Sequence, residues 1–429
     1  MKTILRALIV ALLLPLASFA QKASDIQFWR PYDKRGINVF ETGKADTVTY
    51  DGLVVRVGAN FTQQFQSLSH ENGASPRVVG GVNQNQLIKI GNGFNLATAN
   101  LNFDVALEDG VHLNLIAYLS SRHHNETWVK GGYIQADKLT FLGVDALDKL
   151  MENLTIKVGH MQINYGDMHF RRSDNGNAMY NPFVGNLIMD AFTTETAAEI
   201  LFQKEGVLGM VAVSGGEIQG GIIRPDDRAP NVYGKLGYDK QLNDDLRVRL
   251  TGSFYTTKSS ARNTLYGGDR AGSRYYLVLE NTAATPTAQF TSGRYNPGLT
   301  DNITSLVLNP FVKFGGLEVF GNIEQSKGKA SNETADRTFN QLAVEGLYRF
   351  GANENFYVGG RYNTIKGKPA GYSADIQIDR IQIGAGWFAT KNVLTKIEYV
   401  TQEYKDFLAT DIRHKGKFNG LMIEGIVAF

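Results

Sequence analysis

Over most of its length this chain alternates, residue by residue, between apolar and polar side chains, in runs long for a soluble sheet. In the segment 94–107, Ala97, Ala99, Leu101, Phe103, Val105 and Leu107 stand on odd positions against Thr98, Asn100, Asn102 and Asp104. The segment 246–256 sets Leu246, Val248, Leu250 and Phe254 against Arg247, Arg249, Thr251, Ser253 and Tyr255. A period of two marks a strand with one apolar and one polar face. The last run, LMIEGIVAF at 421–429, puts Leu421, Ile423, Val427 and Phe429 on one parity and Glu424 on the other, with no polar tail after it.

Sixteen such strands are predicted, near 53–67, 94–107, 111–120, 127–138, 153–165, 197–204, 207–215, 231–239, 246–256, 304–314, 316–326, 337–350, 354–366, 376–388, 392–405 and 416–429, with fourteen or eighteen as the neighbouring even counts. Their connections alternate in kind. Short turns fall at 108–110, 206, 240–244, 315, 351–353 and 389–391, with one longer member at 140–153 that reads as a short amphipathic helix. Long polar loops fall at 68–93, 121–126, 166–196, 216–230, 257–303, 327–336, 367–375 and 406–415. Short turns at one rim and long loops at the other describe an all-β transmembrane antiparallel barrel with its short turns toward the periplasm.

The charges decide which solvent each face meets. Arg56, Lys235, Arg247, Arg249, Lys313, Arg349, Arg361, Arg380 and Lys396 lie on the polar parity with Asp104, Glu318, Glu324, Glu345, Glu398 and Glu424. A cation facing the middle of a bilayer costs about 2–4 kcal/mol, so this parity must line the lumen and the apolar one must meet lipid. A barrel of this strand number encloses water, so the reading expects a wet, conducting lumen with a weak excess of basic groups. Aromatic residues near the short turns, Phe314, Phe350, Phe356, Trp387, Phe388 and Phe429, are expected to form an interfacial girdle.

The first twenty residues have a basic start, an apolar stretch and a small-residue exit, which is a secretory signal with cleavage expected between Ala20 and Gln21. Losing Lys2 and Arg6 with it brings the formal charge of +2 to zero, which gives no reason to expect nucleic acid as a partner. Cysteine is absent, so no disulfide or thiolate metal site is available. Three parts are expected: the signal 1–20, a periplasmic N-terminal extension 21–50, and the barrel 51–429.

Signal, alternating strands, a long third loop and a terminal strand ending in phenylalanine together resemble the Gram-negative outer-membrane porins. Two stretches, INYGDMHFRRSDNGNAMYNPFVGNLIMDAFTTE at 163–195 and FWRPYDKRGINVFE at 28–41, are similar to segments of a porin-like family. The resemblance implies passive diffusion of small hydrophilic solutes and ions across the cell outer membrane, by a homotrimer or a monomer. It also implies that Phe429 is read by the barrel assembly machinery. In porins the third loop folds inward, so the loop 166–196 is expected to narrow the pore, with Arg171, Arg172, Asp174 and Asp190 at the constriction. A second class of function is a barrel serving as scaffold or adhesin, with the loop 257–303 and the residues 21–50 meeting a partner protein.

Chemistry finds little support. GAGWFA at 384–389 matches a dinucleotide fingerprint but lies in a strand and opens no helix, so its glycines are read as relieving crowding on the lumen side. His123, His124, His160 and His169, with Asp167, lack zinc-site spacing, and no Ser/His pair can be assigned to the lipid-facing wall. Neither a metal, nor a cofactor, nor an enzymatic activity is expected.

Overall fold

The computed structural model describes residues 25–45, 48–120, 128–218, 228–260, 262–267, 274–286, 288–289 and 291–429. The signal segment, its cleavage site at Ala20 and Gln21, and His123 and His124 lie outside the described residues.

Sixteen long strands close into an antiparallel barrel. They are β1 Val54–Glu71, β2 Thr98–Glu108, β3 Val111–Ser120, β4 Trp128–Ala136, β5 Leu154–Gln162, β6 Thr194–Lys204, β7 Val207–Ser214, β8 Asn231–Gln241, β9 Leu246–Thr257, β10 Asn302–Phe314, β11 Leu317–Lys329, β12 Arg337–Phe350, β13 Phe356–Gly367, β14 Ile376–Thr390, β15 Val393–Lys405 and β16 Lys417–Ala428. Each pairs with its neighbour in sequence, and β1 closes the ring. Its first half pairs with β2, from Val54 against Ala106 to Thr62 against Thr98, and its second half with β16, from Asn60 against Ala428 to Glu71 against Lys417. Closure leaves no unpaired edge to face lipid. Beyond Ala428, the Phe429 N–H donates to the Ala59 carbonyl at 3.0 Å, and the Ala59 N–H returns a bond at 2.9 Å. The predicted helix within 140–153 is the two-turn α1, Asp145–Met151.

The period of two holds around the wall. Outward side chains are apolar over a band: on β12 they run Leu342, Val344, Gly346, Tyr348 and Phe350, which at about 3.3 Å per residue and about 45° of tilt rises roughly 20 Å, near the apolar height of an outer membrane. Toward the long loops the outward residues turn polar, at Gln325, Asn340, Lys366, Asp379 and Lys405. Toward the short turns Tyr348, Phe350, Phe356 and Trp387 form a stacked ladder with successive ring centroids 6.2, 5.7 and 6.4 Å apart. Phe388 does not join it. As the immediate neighbour of outward Trp387 it points to the opposite face, where it is buried against Tyr357. On that same face a Cβ at Gly386 would lie 2.1 Å from the Tyr357 ring, so only glycine leaves room for the tyrosine.

Candidate functional site

Among the described residues, much of the lumen is occupied by three segments that are not wall strands. At the short-turn end, residues 25–45 cross the opening. The Lys34 N–H donates to Lys391 at 2.9 Å, the Asn38 amide to Glu318 at 2.7 Å, and the Lys44 ammonium to the Leu154 carbonyl at 2.6 Å. These anchors lie on two well-separated strands and on the turn between β14 and β15, so the segment spans the mouth.

The second segment, 163–193, runs through the middle of the barrel. Irregular backbone at membrane depth survives only where protein satisfies its N–H and C=O groups, and here the wall side chains do so. Val184 N–H donates to Glu398 at 2.7 Å, Ile188 N–H to Asn363 at 2.7 Å, and Met189 N–H to Gln341 at 2.9 Å. The Lys396 ammonium donates to three loop carbonyls, Ala178, Asn181 and Phe183, at 3.0–3.1 Å, and Arg380 to Asn186 at 2.5 Å.

The described parts of a third segment, within 258–301, contribute an apolar seal at the long-loop end. Tyr275, Val278, Leu279, Tyr295 and Leu299 share one buried cluster with the inward wall residues Phe339, Ile365, Ile376, Ile378, Val400 and Phe418. Below the seal, Arg274 pairs with Glu424 at 2.7 Å and the Tyr275 hydroxyl donates to Glu398 at 2.6 Å.

All the expected lumen residues point inward, yet most meet protein rather than water. Arg249, Arg361, Arg380 and Lys396 are 1–3 % exposed. Arg56 pairs with Asp104 at 2.8 Å, Arg247 with Asp239 at 2.7 Å, and Arg349 with Glu318 at 2.6 Å; Glu345 lies between Arg171 and Arg361 at 2.6 and 2.8 Å. Most of these wall charges therefore meet protein partners within the lumen. Burying these ions is tolerable because each is paired or accepted by loop carbonyls.

The four residues expected at a constriction make ion pairs that fasten the loop, and Asp174 also lines an internal cavity. Arg171 holds Glu345 on β12. Arg172 makes a two-pronged bond to Asp190 within the same loop, at 3.0 and 2.6 Å, with its guanidinium 3.6 Å over Phe192. Burial alone would push the Asp190 carboxyl up, but Arg172 and Arg294 outweigh it and hold the group below the usual carboxylate range. Asp174, the least buried of the four, meets Lys130 and Tyr118.

The tightest cluster was not assigned from sequence. Glu41 of the first segment and Asp167 of the second meet Lys235 of β8 and Arg249 of β9: Lys235 reaches Glu41 at 3.0 Å and Asp167 at 2.9 Å, and Arg249 reaches both at 2.7 Å. Glu41 lies over a hundred residues from the other three, and no spacing in the sequence signals this meeting. Burial opposes ionisation of both carboxyls, but Lys235 and Arg249 hold Glu41 well below, and Asp167 below, the ordinary carboxylate value. His169, tilted against Phe170 and half-buried, is pushed well below the ordinary imidazole value by desolvation and stays neutral.

Among the described residues, three cavities bear on the site. One of about 670 Å³ opens at the long-loop end beside Arg77, Arg294 and Arg413, with Glu280 and Asp411. Another of about 490 Å³ lies at the short-turn end beside Glu41, Arg247 and Arg249. A third, of about 200 Å³, lies inside, between residues 28–42, the loop 163–193 and the wall of β2–β5.

No sequence-family model and no curated protein matches the chain. Solved structures do match by shape. The anion-selective porin of Comamonas acidovorans aligns at 12% identity with a TM-score of 0.53, covering 88% of this chain and all of the porin. The outer membrane channel DcaP of Acinetobacter baumannii aligns at 9% identity and 0.51, covering 89% and 99%, and a loop-deleted outer-membrane protein OmpT of Vibrio cholerae at 10% and 0.51, covering 88% and 100%. At such identities the likeness is one of fold. The chain has the fold of the outer-membrane porins, a closed multi-pass β-barrel.

Proposed function

We propose that the protein is an outer-membrane diffusion channel for small hydrophilic solutes and ions, restricted by the segments inside it. One observation carries this reading: a sixteen-stranded wall, apolar outside and charged inside, is filled by loop and tail segments rather than by its own side chains. The bore belongs to the wall, and its occupation depends on segments that the barrel does not need for closure. Liposome swelling by the purified protein, with salts and graded sugars, tests it; small solutes should enter and large ones should not.

The outer vestibule, with three arginines against two acidic residues, supports a weak anion preference. Reversal potentials in a salt gradient should show this preference, and Arg77→Glu with Arg413→Glu should shift them toward cations. An unmoved reversal potential would remove the vestibule from the account.

The apolar seal favours a second reading, a closed barrel that displays its loops as a scaffold for another protein. That reading gains if neither the intact chain nor a variant lacking the third segment passes any solute. The partners under the channel reading are outer-membrane lipids around the apolar band and the assembly machinery at the terminal strand, with a homotrimer or monomer to be resolved by native gel. Phe429→Ala keeps the backbone pairing with Ala59 and removes only the outward ring. Its expected result is a several-fold loss of folded, heat-modifiable protein in cells with unchanged conductance of the molecules that do fold.

A further inference from the structure

The internal cavity of about 200 Å³ has a chemistry of its own. Taking roughly 30 Å³ per water, it holds about seven waters, a volume suited to one small organic ring. Its aromatic wall includes Trp29 stacked on Tyr133, centroids 6.2 Å apart and planes 22° from parallel, with Tyr32 and Tyr180 also lining it. The amides of Asn114 and Asn177 line it too, and their Oδ1 atoms are buried without a hydrogen-bond partner. Asn114 itself is 2% exposed, and its Nδ2 is already committed to Asp104 at 2.7 Å. A buried carbonyl oxygen without a donor is costly enough to require an occupant that supplies one.

The charges around the cavity narrow the class. Two orphaned acceptors repel an anion. The charged groups lining the space are already engaged, Lys130 with Asp174, Lys157 with Glu199, Arg30 with the Gly36 and Phe170 carbonyls, and Glu41 with Lys235 and Arg249, so none is left over to pair an ionic ligand. What fits is a neutral molecule with hydroxyl donors at its edge and an apolar face for the rings, because C–H faces pack on aromatic planes while hydroxyls satisfy amide oxygens. We propose that this cavity binds a single neutral sugar ring, held between the Trp29–Tyr133 pair and the Asn114 and Asn177 amides. The proposal rests on the diffusion-channel reading for the solute's route to the cavity, and names the solute class.

The test is tryptophan fluorescence of the folded full-length protein in detergent, titrated separately with glucose, glucuronate and glucosamine. Glucose should give a saturable change that Trp29→Phe abolishes, although Trp128 and Trp387 remain to report. Asn114→Leu should weaken glucose binding about tenfold, the cost of a lost bond to a buried polar group, and Asn177→Ala, on the loop rather than the wall, gives the same readout if the wall variant fails to fold. No saturation with glucose, a response undiminished in Trp29→Phe, or tighter binding of glucuronate or glucosamine would overturn the proposal. Swelling separates the two readings. Saturation without permeation removes the channel and keeps the site, whereas permeation without saturation removes the site and keeps the channel.

Discussion

Excising residues 265–298 and bridging the stubs with a four-residue Gly-Ser turn is expected to raise single-channel conductance about fivefold or more, since this segment seals the long-loop mouth. The geometry makes the excision feasible: the Asn263 N–H donates to the Thr300 carbonyl at 2.7 Å, so the two feet of the loop already stand side by side. Strands β9 and β10 keep their register from Leu246 against Phe314 to Thr257 against Ile303, and the barrel should remain heat-modifiable. Removing Tyr275, Val278, Leu279, Tyr295 and Leu299 exposes Phe339, Ile376, Ile378 and Phe418 to water, which should lower thermal stability while opening the bore. Conductance in planar bilayers is the measurement. An unchanged value in a folded variant would show that the block lies deeper, in the segments 25–45 and 163–193.

Arg249→Ala should cost about 3–5 kcal/mol, because removing one partner of a buried ion network leaves the others uncompensated. Glu41 and Asp167 would then share Lys235 alone. Both lie on segments that the barrel wall must hold, so their release should be local before it is global. Trypsin should cleave at Lys34 or Arg35 in the folded variant faster than in the parent, and urea unfolding should shift to lower concentration. The same network sets a pH dependence. Glu41 and Asp167 have folded-state values below their unfolded ones, so their pairing contributes fully above the unfolded value and is lost as pH falls through the depressed one. Trypsin protection of the parent should therefore stay flat from about pH 8 to pH 5, above the ordinary carboxylate values near 4. A loss of protection already at the upper end of that window would count against the network as the clamp. Equal cleavage of Arg249→Ala and parent would do so as well.

The wall could be read from residues alone because a strand's faces are a local property. Arg247 and Arg249 flanking Val248 already assign lumen and lipid, and the alternation of short and long connections orders the strands. Phe388 shows the limit of reading by composition rather than parity, since two adjacent residues cannot both face lipid. Lys130, inward on β4, escaped notice because the β3–β4 register shifts at Ile116 and Ala117 and the simple count of two breaks there. One sign of the filling was present in the strands: Phe339, Ile376, Ile378, Val400 and Phe418 are apolar residues on the charged parity, each beside a long loop. A water-filled mouth gives such residues no partner.

What the sequence determined by itself was most of the wall: alternating strands numbering sixteen or a neighbouring even count, the face that most of their side chains take, and both ends of the barrel on the short-turn side. Only the tertiary structure decided what the lumen contains. Alternation encodes a face through a two-residue period and needs no distant information. The filling segments have no period, and Glu41, Asp167, Lys235 and Arg249 meet only after the ring has closed. A lumenal charge written in a strand is equally compatible with water, a counter-ion, or a loop carbonyl, and chain closure brought the carbonyls and carboxylates to it.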